Sequence, residues 1–184
     1  MSSGNIADAV RAWGEQRRLE RTHLERWLAF DDESAAALHE AARRLHLRTG
    51  QLQIALGLLE EIALTDGVPI SAVLARSPLK RILDGAGAAP ARARAFVEEL
   101  RAIRFPRLRR SLQRMKAEIA ALRLPRTVAV VLPKDLASDE LKIEIRVRSG
   151  AELDSSVSAL ARSGAELGRV VELLGGQSLN ADEI

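Results

Sequence analysis

Cysteine and tyrosine are absent from this chain, and its 184 residues include only two tryptophans and three phenylalanines. Without thiols there can be no disulfide framework, no thiolate metal site and no cysteine nucleophile, and the composition fits a reducing compartment. Aromatics make up 3% of the chain against 47% hydrophobic residues overall, so the core has to be assembled from Leu, Ala, Ile and Val, a composition that favours helix packing. Long apolar runs are missing too. Charged residues interrupt every helical stretch, which excludes a membrane span, and the start Met1-Ser2-Ser3-Gly4-Asn5 lacks the basic and apolar regions of a secretory signal. The expectation is a cytoplasmic protein with no membrane partner.

Catalytic constellations are equally scarce. No serine stands in a G-x-S-x-G setting, and no nucleophile, base and orienting group can be proposed together, so no catalytic residue is expected and the chain reads as a non-enzyme. His39 and His46 can share a helix face, but seven residues separate them by about 10 Å along the axis, too far for one metal. Gly85-x-Gly87 lacks the preceding strand and the completion that aim amides at phosphate, and it reads as a linker. The connector acids Asp135, Asp139 and Glu140 do not have EF-hand spacing. Neither a metal nor a cofactor is expected.

What is present is polarised charge. From Arg92 to Arg126 there are eleven bases against Glu98, Glu99 and Glu118, a net +8, while the rest of the chain sums to −5. A basic segment on an acidic body suggests a polyanionic partner, set against the plainer reading of a solvated helix face.

Periodicity indicates a helical chain. Val10, Trp13, Leu24, Trp27 and Leu28 anchor one or two helices between Ile6 and Phe30, and Asp31-Asp32-Glu33-Ser34 supplies a cap and first-turn acids for the next. After Leu47-Arg48-Thr49-Gly50, an i, i+3, i+4 series runs from Leu52 to Ile62 and ends at Asp66-Gly67. Ser77-Pro78 starts a short helix, with Ser77 as cap and Pro at the first position. Asp84 to Pro90 is the best internal hinge, followed by a helix from Ala91 to Arg104 that Pro106 should stop or kink.

Leu108, Leu112, Met115, Ile119 and Leu122 then form an a/d seam over two heptads, a candidate oligomer interface. Past Leu124-Pro125 the period changes to two. Val128–Leu132 and Leu141–Val147 read as an antiparallel pair across an eight-residue connector. Arg148-Ser149-Gly150-Ala151-Glu152-Leu153 recurs as Arg162-Ser163-Gly164-Ala165-Glu166-Leu167, and each copy has capping-box spacing and should start a helix. Gly175-Gly176 should end the last helix ahead of an acidic, disordered tail. The expected fold is mainly α with a small α+β C-terminal unit. Its divisions are a helical domain 1–124, a two-stranded ribbon with two short helices at 125–176, and a tail 177–184.

Two features suit DNA. The basic segment offers Arg101, Arg104, Arg107, Arg109, Arg110, Arg114 and Lys116 for phosphate contacts. The helix pair Leu38 to Leu59 has the outline of a helix-turn-helix, with His46 in place of the usual turn glycine and with Arg48, Thr49, Gln51 and Gln53 toward a groove. Stacking on single strands is disfavoured, because no aromatics are interleaved with bases on a strand.

The runs Arg17 to Phe30, Asp31-Asp32-Glu33-Ser34, Leu47 to Leu52, Leu58 to Ala63, Ala91 to Leu100, Arg104-Phe105-Pro106-Arg107-Leu108 and Leu122-Arg123-Leu124-Pro125, followed by the strand Leu141 to Val147 and a helix, resemble the C-terminal half of ParB-like partition proteins. The likeness lies in spacing and hydrophobic pattern. It implies a DNA-binding homodimer acting in chromosome or plasmid partition. The family's arginine-rich nucleotide motif has no counterpart, so CTP binding is not carried over, and a protein partner that supplies a nucleotide-binding domain is left as an open alternative. A rival expectation is a helical adaptor that oligomerises or binds protein and does not touch nucleic acid.

Overall fold

Helix starts follow the capping chemistry of the chain. In the computed structural model, which describes residues 3–133 and 140–174, the Asp31 side chain accepts from the Ser34 amide at 2.8 Å and opens α3 (Asp32–Arg44). Its two preceding helices are α1 (Ser3–Gln16) and α2 (Arg21–Leu28), separated by Arg18 in the left-handed region at φ 52°. Gly67, at φ 64°, ends α4 (Thr49–Asp66), the conformation glycine adopts without a Cβ penalty. Then come α5 (Ile70–Leu74), α6 (Ser77–Asp84) and α7 (Ala89–Arg104).

These seven helices belong to a first compact unit, Met1–Phe105. Its centre is α4, which buries Leu52, Ala55, Leu56, Leu58, Leu59 and Ile62, residues on more than one side of the helix, and packs against α2, α5 and α7. Trp27 is fully buried. It meets Trp13 edge-on at 5.6 Å, and its indole N–H donates to the Ala35 carbonyl at 3.3 Å, so its one polar atom is satisfied.

The second unit, Pro106–Ile184, contains α8 (Pro106–Ala121), β1 (Val128–Val131), β2 (Lys142–Ile145), α9 (Gly150–Arg162) and α10 (Gly164–Leu174). The strands pair antiparallel, with Val128 opposite Ile145 and Val130 opposite Ile143. Ser149 caps α9 by accepting from the Glu152 amide at 3.2 Å. Both copies of the hexapeptide repeat start helices. Met115, Val170 and Leu174 form the unit's core with Ile119, Leu132, Leu141 and Leu173 against them.

The fold is thus mainly helical with a two-stranded antiparallel ribbon and two later helices. It differs from the sequence reading in detail. The boundary expected at 124 falls at Phe105, because α8 packs on α10, which places the basic helix with the ribbon. The stop expected at Pro106 holds, with α7 ending at Arg104, and Pro106 itself is the first residue of α8, a position where a missing amide is harmless. Arg76 takes the cap position ahead of Ser77. Helix α5 was not anticipated, since five residues carry too little periodicity to register. The strands are four residues each. Asp135 and Asp139 of the connector, the Gly175-Gly176 stop and the tail 177–184 lie outside the described residues.

Asp31 offers a direct test of the capping argument. Its hydrogen bonds from Ser34 hold the carboxyl below the ordinary aspartate range. Such a group stabilises the fold above its unfolded pKa, and the stability is lost as pH falls through the folded value. Asp31→Ala is expected to destabilise the protein by about 1 kcal/mol near neutral pH. In thermal melts this difference from wild type should disappear as the pH is lowered into the acid range.

Candidate nucleic-acid interface

Helix α8 divides its residues by chemistry. Leu108, Leu112, Ile119 and Leu122 are half-buried and Met115 is 1% exposed, while Arg107, Arg109, Arg110, Arg114 and Lys116 are all exposed. A 3.6-residue period gathers the apolar set on one side and divides the bases between its two flanks, Arg107, Arg110 and Arg114 on one and Arg109 and Lys116 on the other. The first turn holds no acid and includes Arg107, so the positive end of the helix dipole adds to the side-chain charge where an acid would offset it. A bound anion would relieve both.

The arginines of the first unit are placed differently. Arg26 grips Glu60 with two nitrogens, Arg44 bridges Glu40 at 2.6 Å and Asp84 at 3.0 Å, and Arg76 meets Asp66 at 2.6 Å. Two of the expected phosphate contacts belong to this group: Arg101 pairs with Glu98 at 3.0 Å, and Arg104 with Glu61 at 2.8 Å while lying over the Phe105 ring. Among the described residues no carboxylate pairs with Arg107, Arg110, Arg114 or Lys116. The expected basic set therefore separates into two structural arginines in the first unit and exposed bases on both flanks of α8 in the second.

The helix pair α3 and α4 has a tight connection. His46 takes φ 50°, so a histidine occupies the left-handed position a glycine would fill more cheaply. The turn is pinned from α1: Arg17 donates to the Leu47 carbonyl at 3.4 Å, and the Thr49 hydroxyl donates to the Arg17 carbonyl at 3.0 Å. Gln51 accepts from the Arg48 amide at 3.1 Å. Thr49 and Gln51, expected to face a groove, are thus occupied in holding the start of α4, Gln53 is half-buried, and Arg48 is exposed. His46→Gly is expected to raise stability by up to about 1 kcal/mol, since it removes left-handed strain, whereas His46→Val should lower it; urea titrations of the three proteins decide this.

Tertiary packing also makes a feature that the sequence did not announce. An open groove of about 670 Å³ between α1 and α3 is lined by Trp13, Arg17, His39, Arg43 and His46, with the Arg17 guanidinium 5.3 Å from the Trp13 ring centre. Burial, then the Arg43 charge, pushes the His39 pKa below the ordinary histidine value. Its lining is cationic, but the residues come from helices some thirty positions apart, so no linear spacing could have revealed it.

The seam residues proposed for oligomerisation are partly consumed inside the chain, because Met115 and Ile119 pack with Val170 and Leu174. Among the described residues no helix is long and apolar enough to cross a membrane.

Comparison with protein-family models, curated proteins and solved structures finds no match to this chain.

Proposed function

We propose that this protein binds duplex DNA, without catalysis, by setting the exposed bases on both flanks of α8 against phosphates. The carrying observation is the exposed Arg107, Arg110, Arg114 and Lys116, unmatched by carboxylates among the described residues, while Arg26 and Arg104 beside α4 are spent on pairs with Glu60 and Glu61. Arginine suits this role because its planar fork meets a phosphate bidentately. Arg109, exposed on the same helix, lies on the Lys116 flank. Backbone contacts of this kind carry register but no sequence information, so any site preference would have to come from elsewhere, with Arg48 at the start of α4 the exposed candidate. The partition-protein resemblance agrees with this reading and suggests assembly on DNA as the biological context.

The test is fluorescence-polarisation titration of a labelled duplex across a salt series. Affinity falling steeply and linearly in log salt supports the proposal, because each neutralised phosphate releases counterions and contributes about 0.9 to the slope. Failure to bind at low salt would overturn it and leave the protein-binding adaptor as the better account.

A further inference from the structure

We propose that the open groove between α1 and α3 binds a small organic anion, an apolar body carrying one carboxylate or phosphate group. This goes beyond the DNA-binding proposal and does not depend on it.

The groove is graded along its length. Arg17, just past the end of α1, donates to the Leu47 carbonyl, shortly past the end of α3, so both helices finish at the same end of the groove. From Ala9 to Arg17 the α1 side runs about 12 Å. Ala9 and Ala12 line its start and Arg17 its finish, where Arg43 and His46 approach from the α3 side. An apolar wall thus leads to a cationic end. At about 670 Å³ the space has the size of a small-molecule site.

The cations at that end are only loosely committed within the protein. Arg17 reaches the Leu47 carbonyl at 3.4 Å, a long hydrogen bond, and Arg43 reaches Glu40 at 3.9 Å, whereas Glu40 is already held by Arg44 at 2.6 Å. A guanidinium offers a planar fork of N–H donors that suits carboxylate and phosphate alike, and most of these donors are left for a ligand. No acidic residue among the described ones lines the groove. The carbonyl ends of two helices finish here, each worth about half a negative charge, which two guanidiniums exceed.

Two further observations point to a ligand. Trp13 lines the groove and is 7% exposed, yet its indole N–H meets no acceptor among the described residues. The Trp27 N–H, by contrast, donates to the Ala35 carbonyl, as a mostly buried indole ordinarily does. The Trp13 N–H is not sealed off inside the core, so it remains a donor for an oxyanion. His46 holds φ 50°, a conformation glycine adopts at lower cost, and its exposed ring lines the cationic end. Backbone strain of this kind gathers at ligand clamps.

The experiment is a titration of the full chain with naphthalene-2-carboxylate and with 2-naphthyl phosphate. Proton–nitrogen correlation spectra follow the indole N–H signals of the two tryptophans, which Trp27→Phe assigns, and circular dichroism confirms that each variant is folded. Saturable movement of the Trp13 signal, with a Kd of about 1 mM or tighter, is expected for at least one probe, and the tighter of the two names the head group. The neutral naphthalene-2-carboxamide should bind about tenfold more weakly or worse, because it loses the charge-assisted hydrogen bonds. Arg43→Gln should weaken the charged probe about tenfold or more, while Arg48→Gln, at an exposed arginine outside the groove, should leave it unchanged. His46→Gly separates binding from folding: the urea midpoint should rise while the affinity drops severalfold. No saturable shift below about 10 mM, equal affinity for the amide, an Arg43→Gln or His46→Gly protein that binds as tightly as wild type, or displacement of the probe by a short DNA duplex would each overturn the proposal.

Discussion

Replacing Arg109, Arg110 and Arg114 together with glutamine is expected to lower duplex affinity several hundredfold near 0.1 M salt, and to reduce the slope of log affinity against log salt by about three units. The magnitude follows from counterion release: with a contribution of about 0.9 per phosphate contact, three lost contacts scale affinity by the salt concentration to roughly the 2.7th power. Glutamine keeps helix propensity close to that of arginine, and all three side chains are exposed, so the circular dichroism spectrum should not change. A control isolates position from total charge. Arg11 and Arg21 are exposed arginines paired with Asp8 and Glu25, and glutamine at both should leave the slope close to that of wild type. Equal losses in the two variants would mean that net charge, not the α8 bases, governs binding, and an unchanged slope in the triple variant would remove α8 from the interface.

Trp27→Ala is expected to destabilise the first unit by about 3–5 kcal/mol. Trp27 is fully buried, carries the largest side chain in that core, and is contacted edge-on by Trp13. A small domain has only about 5–15 kcal/mol of stability in total, so the loss is a large fraction of it. Two effects combine: a cavity that the surrounding leucines cannot close, and an Ala35 carbonyl that loses its indole donor. Trp27→Phe separates them. Phenylalanine keeps most of the volume, and the penalty should fall to the range of an unmet buried acceptor, about 1–3 kcal/mol. Urea titrations followed by Trp13 emission and by helical circular dichroism measure both. A Trp27→Ala midpoint indistinguishable from wild type would contradict the packing described for this core.

The sequence was legible wherever a local rule acts alone. Asp31 opens α3, Gly67 closes α4 and Ser149 caps α9, because a cap is a short-range hydrogen bond or a single backbone conformation. The change of period after Pro125 marked the ribbon for the same reason. They held at Pro106 too, where one residue stops α7 ahead of it and sits in the first turn of α8. They did not reach Thr49 and Gln51, whose side chains look available for a groove but are occupied with the Arg17 carbonyl and the Arg48 amide.

Composition and spacing by themselves therefore determined a helical, leucine-rich, thiol-free chain with a basic stretch near residues 92–126 and a strand pair after it. Only the tertiary structure decided what the bases do. Arg104 comes from the same stretch as Arg107, Arg110 and Arg114, yet it meets Glu61 across the fold, while no carboxylate among the described residues meets the other three; Arg101 meets Glu98 one helical turn away, a pair that local spacing alone allows. Arg104 and Glu61 stand 43 positions apart, and their meeting is set by how α4 packs on α7. Helical periodicity specifies which side a residue takes on its own helix, whereas the partner across that side is chosen by the packing of whole elements, and that choice separates a structural arginine from one open to a ligand.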